Sequence, residues 1–207
     1  MKKVLEIGGF ISGAILIAFG VAVIALGASG RSTVNSNLKA EQITGSPDMT
    51  PALIKVEAAK AGLTNVSFPT CSVADKAITS GTTARCFAQY MRIHALEASG
   101  GLPYSQMPRF ATADGKGTND AAKAQMANGQ PVANAARDTW VTETALSTAL
   151  NVSFMASQLS LFSIVVGLAL LLTGIGFVVL DYVALHIRRE KKATETAAVQ
   201  TATPALA

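Results

Sequence analysis

Two stretches, IGGFISGAILIAFGVAVIALGA from Ile7 to Ala28 and LSLFSIVVGLALLLTGIGFVVL from Leu159 to Leu180, decide how this chain folds. Each holds about 22 residues with neither a charge nor a proline. As a helix rising ~1.5 Å per residue, such a run reaches about 33 Å and crosses a hydrocarbon layer of roughly 30 Å. The helix also closes the backbone hydrogen bonds that lipid cannot satisfy. Outside these runs the 207-residue chain, half hydrophobic overall, is rich in Ala, Thr, Ser, Asn and charge, and only 6% of it is aromatic. The pattern predicts an all-α membrane protein: a two-helix transmembrane hairpin carrying a small, mostly helical extracytoplasmic domain.

The first run competes with a signal peptide, because Lys2-Lys3 precede it and Ala25-Leu26-Gly27-Ala28-Ser29 resembles a cleavage site. Signal-peptide cores run to roughly 7–15 residues, so the length favours an uncleaved anchor. Cleavage would leave a single-pass protein with the same outer domain. Basic residues set the orientation: Lys2 and Lys3 lie before the first span, and Arg188, Arg189, Lys191 and Lys192 follow the second. Both termini are therefore expected in the cytoplasm of a multi-pass cell-membrane protein. Arg31 and Lys39 flank the other side, but a connection this long translocates largely regardless of charge. The expected divisions are 1–6 cytoplasmic, 7–28 and 159–180 transmembrane, 29–158 extracytoplasmic, and 181–207 a cytoplasmic basic flank with a disordered tail after Lys192. The net charge of +4 is mostly this topology signal, without a basic patch, so nucleic acid is discounted as a partner.

The two cysteines, Cys71 and Cys86, both fall in the translocated region, where a disulfide is permitted. An internal bridge would restrict the unfolded chain by roughly 3 kcal/mol for a loop of about 15 residues. An intermolecular bridge and two free thiols are the alternatives.

Along the outer region, Val34, Leu38 and Ile43 keep helical spacing beyond Ser29-Gly30, and Gly45-Ser46-Pro47 breaks it. Thr50-Pro51 reads as an N-cap followed by a first-turn proline, with Leu53, Ile54 and Ala58 on one face and Gly62 as the stop. Leu63 to Thr70 is extended in character. Thr83 to Ser99 reads as a helix: Cys86, Tyr90 and Ile93 form one row and Phe87, Met91 and His94 the next, until Gly100-Gly101. Leu102 to Phe110 is an irregular strap, and 111–130, almost without apolar anchors, is expected to be a mobile loop. From Pro131 neither proline nor glycine recurs before Gly167, which predicts one long helix of about 84 Å to His186.

Glycine carries the membrane signal. Gly13, Gly20 and Gly27 recur every seven residues, and Gly9 adds a Gly-x-x-x-Gly step to Gly13. In the second span Ser163 precedes Gly167 by four, and Gly167, Gly174 and Asp181 again repeat at seven. These faces suit close helix packing, either between the chain's own spans or against a second copy or a membrane-protein partner. Asp181 and Glu6 sit at the cytoplasmic edges of the spans and read as interfacial anchors.

Sites for chemistry are sparse. His94 with Glu97 would supply two metal ligands one turn apart, but such a site needs three or four, so His94 reads as half-buried and hydrogen-bonded, with neither metal nor cofactor expected. No phosphate-binding glycine loop and no Gly-x-Ser-x-Gly is present, and no catalytic residue is assigned. Trp140 and Val141 mark either core packing or a contact surface.

Gly45 to Pro51, Arg85-Cys86-Phe87-Ala88-Gln89-Tyr90-Met91-Arg92-Ile93-His94-Ala95-Leu96-Glu97 and Trp140-Val141-Thr142-Glu143-Thr144-Ala145-Leu146 resemble an uncharacterised family of actinobacterial two-pass membrane proteins, over most of the chain. The resemblance implies the two-pass architecture and brings no activity or site residues. Some members carry an automatic label of aromatic ring-opening dioxygenase. A non-haem iron enzyme of that kind needs two histidines and a carboxylate on one metal. This chain has only His94 and His186, expected on opposite sides of the bilayer. The function expected from sequence is a non-catalytic structural or interaction role in the lipid bilayer, with an envelope sensor or an accessory subunit of a transporter or enzyme complex as the alternative.

Overall fold

The computed structural model describes the backbone of residues 2–201 and the side chains of residues 7–194. Glu6, expected at a membrane edge, has its side chain outside the described residues, as have Lys2 and Lys3. The chain is mostly helical: α1 (Lys2–Ala40), α2 (Pro51–Lys60), α3 (Gly81–Ala98) and α4 (Ala135–Thr201). It divides into two compact units, Met1–Ser29 with Leu159–Ala207, and Gly30–Gln158.

The first unit pairs the beginning of α1 with the end of α4. Both α1 and α4 contain a segment long and apolar enough to cross a membrane. Their large side chains point outward: Leu26 is 72% exposed, Phe162 63% and Leu180 68%. Small residues fill the contact between the segments. This inverts the usual pattern of a water-soluble helix pair, which buries its large apolar side chains. Ser29-Gly30 does not interrupt α1, since a mid-helix glycine costs only about 1 kcal/mol. At its far end α4 continues to Thr201, past Lys192, where a disordered tail was expected. Ala193 to Thr201 are instead helical, consistent with alanine- and glutamate-containing sequence that propagates a helix already nucleated upstream. Residues 202–207, the rest of that expected tail, lie outside the described residues.

The second unit is organised around α3. Ser80 and Thr83 form a reciprocal capping box at its start, the Ser80 hydroxyl accepting from the Thr83 N–H. Its inner row, Cys86, Tyr90 and Ile93, is buried with Ile54 and Ala58 of α2, Val73 and Ile78 of the intervening loop, Leu38 of α1 and Leu150 of α4. Thr50 caps α2 by accepting from the Leu53 N–H (3.2 Å), and Gly62, at φ +69°, turns the chain out of that helix. The chain before α2 pairs with the loop before α3: the Ile78 N–H donates to Ile43 and the Asp75 N–H to Gly45. A β-carbon at Gly45 would collide with Val73, so this crossing requires glycine. The Cys71–Cys86 disulfide is formed, with Cα atoms 6.1 Å apart, and fastens the start of α3 to the loop.

The strap after α3 contains one 3₁₀ turn, Tyr104–Gln106, and buries Met107 beside Ala95 and Trp140. Residues 111–130 differ from the expected mobile loop. Phe110 and Thr118 exchange backbone hydrogen bonds, the Gln125 N–H donates to Ala111, and β1 (Met126–Ala127) pairs antiparallel with β2 (Gln130–Pro131). Asn128 and Gly129 make the connecting turn with φ of +54° and +76°, the left-handed pair that a two-residue hairpin requires. Polar side chains organise this stretch in place of an apolar anchor. Asp120 caps the 3₁₀ turn Ala121–Lys123, and Thr112 and Asp114 bond to each other and to the Gly117 and Lys116 N–H groups. Pro131 is consequently part of the hairpin. The long helix begins later, at Ala135, where the Asn134 carboxamide accepts from the Ala136 N–H (3.1 Å).

Candidate functional site

The glycine seam lies inside the first unit. Gly13 faces Gly174, Gly20 faces Gly167 and Gly27 faces Ser160, an antiparallel register held over two heptads. A β-carbon placed on Gly20 would stand 2.8 Å from the Gly167 carbonyl oxygen and 2.7 Å from the Leu171 nitrogen, so the two backbones meet there. Gly174 would similarly meet the Gly13 carbonyl at 2.7 Å, and Gly167 the Gly20 carbonyl at 2.8 Å. Each of these glycines is therefore filled by the chain's own other helix. Gly9 lies under the Asp181 carboxylate, which continues the seven-residue repeat. Ser163 is not among the nearest neighbours of the seam glycines of α1. Its hydroxyl donates back to the Leu159 carbonyl (2.9 Å), and the small residue at the crossing is Ser160, seven positions before Gly167. A serine hydroxyl bonded to its own preceding turn needs no partner helix.

Within the second unit, polar groups converge between α2 and α3. Asp48 sits in the turn that precedes α2, where the Met49 N–H donates to Ser46 (3.0 Å), and buried Met49 roots that turn in the core. Glu57 lies one residue before the buried Ala58 on α2. His94 and Glu97 lie one turn apart on α3, on the row beside Tyr90 and Ile93. His94 Nε2 meets Asp48 Oδ2 at 2.7 Å, and one ligating atom from each of Asp48, Glu57 and His94 falls within 4.8 Å of the other two. Behind them the Tyr90 hydroxyl donates to the Cys71 carbonyl (2.6 Å), tying the cluster's frame to the disulfide.

The electrostatics are uneven. Burial works to raise the Asp48 carboxyl, but hydrogen bonds from Ser46 and its own N–H, together with the His94 imidazole, outweigh it and hold Asp48 below its ordinary value. Glu97 moves the other way. Burial pushes it up, and the charges of Glu57 and Asp48 add to that effect against the opposing pull of His94. Glu97 Oε1 is buried and has no hydrogen-bond partner. Burial, with a contribution from Asp48, also raises the Tyr90 hydroxyl. The cluster thus gathers three carboxyl groups around one imidazole.

On its other side His94 lines an open groove of ≈580 Å³ with Met91, Ala95, Asp138 and Glu143. Trp140 is buried beside Ala95 and carries the Arg92 guanidinium 3.9 Å from its ring centroid. Arg92 also donates to the buried Glu143 carboxylate at 3.3 Å. The contact reading of Trp140 thus resolves into packing under α3.

From sequence, only His94 and Glu97 were visible as candidate ligands, because their spacing is local. Asp48 and Glu57 arrive from a turn and a helix remote in the chain, and no periodic pattern links them to α3. Set against known proteins, the chain has no significant match to a family model, a curated protein or a solved structure.

Proposed function

We propose that this chain is a non-catalytic two-pass membrane protein that holds both ends in the cytoplasm and presents residues 29–158 on the outer face as an interaction module. The observation that carries this reading is the seam of Gly13, Gly20 and Gly27 against Gly174, Gly167 and Ser160. Small residues inside and large apolar residues outside suit a helix pair solvated by lipid. The basic flanks on the two terminal sides favour the inward orientation of both ends, and the disulfide suits an oxidising compartment on the other side. The reading accords with what the resemblance to actinobacterial two-pass proteins implies. A non-catalytic role is supported by the use of the module's polar groups in structure: His94 pairs with Asp48, Tyr90 holds the Cys71 carbonyl, and Arg92 neutralises Glu143.

A reporter enzyme active only outside the cytoplasm, inserted at Gly115, tests this. Gly115 is exposed, and a β-carbon there would meet nothing within 4 Å, so an insertion disturbs little packing. Activity of that fusion, with inactivity of the same reporter at the C-terminus, is the expected result. Activity confined to the cytosol at Gly115 would remove the proposed topology. The convergence of Asp48, Glu57, His94 and Glu97 favours a second reading, an envelope sensor or accessory subunit. Crosslinked co-purification from native membranes separates the two: a stoichiometric transporter or enzyme partner supports the accessory role.

A further inference from the structure

We infer that Asp48, Glu57 and His94 form a binding site for one divalent transition-metal ion of the Zn²⁺ class, with the carboxylate of Glu97, one helical turn on from His94, adding to the negative field there. Three features of the structure carry this.

The first is donor geometry. Ligating atoms of the three residues already lie within 4.8 Å of one another. Around Zn²⁺, with bonds of ~2.0–2.1 Å, neighbouring tetrahedral donors stand about 3.3 Å apart. Side-chain rotations of about an ångström close the remaining gap, and water takes the fourth position. His94 presents Nε2 to the ion by carrying its hydrogen on Nδ1, and Asp48 Oδ2 exchanges its hydrogen bond for a metal bond.

The second is charge. Three carboxyl groups surround one imidazole, and Glu97 Oε1 is buried without a hydrogen-bond partner. A buried polar atom left without a partner is costly, and a divalent cation beside it removes the cost. Of the two guanidinium groups on the same helix, Arg92 is bonded to Glu143 and Arg85 lies over the Phe154 ring.

The third is the frame. His94 and Glu97 share one helix, Glu57 stands on another, and Asp48 occupies a turn anchored by buried Met49. The α2–α3 pair is packed through Ile54, Ala58, Tyr90 and Ile93, and Cys71–Cys86 fastens α3 to the loop between them. Little ordering remains to be done on binding. One imidazole among carboxylates selects a transition ion over Ca²⁺ or Mg²⁺, which take all-oxygen shells. Both cysteines are used in the disulfide, so the donor set is nitrogen and oxygen.

The test uses full-length protein in mild detergent, stripped with EDTA, dialysed, and titrated with Zn²⁺ by calorimetry, with Co²⁺ absorption as a second readout. A single saturable site per chain, Co²⁺ displaced by Zn²⁺, and no comparable binding of Ca²⁺ or Mg²⁺ are expected. His94→Ala and Glu57→Gln should each weaken Zn²⁺ binding by at least ~10-fold. His186→Ala, which removes the other histidine, should leave it unchanged. Glu97→Gln should weaken binding yet raise the metal-free melting temperature, opposite signs that lost packing would not produce. If His94→Ala does not fold, Glu57→Gln, at a half-buried position, decides. The inference is overturned by absence of saturable Zn²⁺ binding to folded protein, by binding untouched in folded Glu57→Gln, by loss of binding in His186→Ala, or by equal affinity for Ca²⁺.

Discussion

At the scale of single residues, the loop after the strap shows how polar side chains replace an apolar core. Asp114 is fully exposed, yet its carboxyl is held below its ordinary value, chiefly by the Thr112 hydroxyl and then by the Lys116 N–H. A carboxyl lowered on folding contributes stability that is present above its unfolded value, near 3.8, and lost as the pH falls through the lower folded value. Asp114→Asn keeps the shape and removes the charge. Hydrogen–deuterium exchange of the 112–117 peptide should therefore be faster in the variant than in the wild type at neutral pH. The difference should shrink as the pH falls below 3.8 and vanish once it lies below the lower folded value. Equal exchange at neutral pH would mean that the ionised Asp114 does not hold this turn. Global unfolding should move little, because the group lies at the surface.

At the scale of elements, the glycine seam makes the sharpest prediction. Gly20→Leu drives a side chain into the Gly167 carbonyl and the Leu171 backbone, whereas Gly8 and Gly176 have nothing within 4 Å of the same added carbon. Gly20→Leu should destabilise the helix pair by about 1–3 kcal/mol, as overpacking of a close contact does. Gly8→Leu and Gly176→Leu should be neutral. Thermal aggregation in detergent measures all three, and equal behaviour would show that the seam does not carry the pairing. This seam was readable in advance because a seven-residue spacing of small residues needs no knowledge of the partner. The spacing could not say which serine joins it. Ser163 lies four residues before Gly167 and Ser160 seven before it, and only the register against Gly27 selects Ser160. The caps of α2 and the buried row of α3 were equally legible, being local. The Asn128-Gly129 hairpin was legible too, but the low apolar content around it outweighed a strong two-residue signal. Asp48 and Glu57 were hidden for the opposite reason, since their meeting with His94 depends on how α2 packs on α3. Such long-range closure leaves no periodic trace in either segment.

At the scale of the whole molecule, the proposed topology rests on a competition between charges that can be made to change its outcome. In that topology Lys2 and Lys3 favour an inward N-terminal end, yet Arg31 and Lys39 lie on the opposite flank of the same apolar run, so the first span alone is poorly biased. The second span is not: Arg188, Arg189, Lys191 and Lys192 follow it closely, and the nearest basic residue before it is Arg137. Basic residues direct orientation when they lie within about 15–20 residues of a span end, and connections beyond roughly 60 residues cross largely regardless of charge. The region from 29 to 158 exceeds that length. It follows that Lys2→Glu with Lys3→Glu should leave the Gly115 reporter active outside, because the C-terminal flank still fixes the second helix. Adding Arg188→Gln, Arg189→Gln, Lys191→Gln and Lys192→Gln should lower that activity and yield a mixed population, read as partial protection of the C-terminus from the cytosolic side. If the double variant alone inverts the chain, the first span governs insertion, and the C-terminal basic cluster needs another explanation, such as attraction to anionic lipid headgroups. If the sixfold variant stays fully oriented, charge does not set the topology, and folding of the disulfide-bonded region on the outer side becomes the force that traps it there.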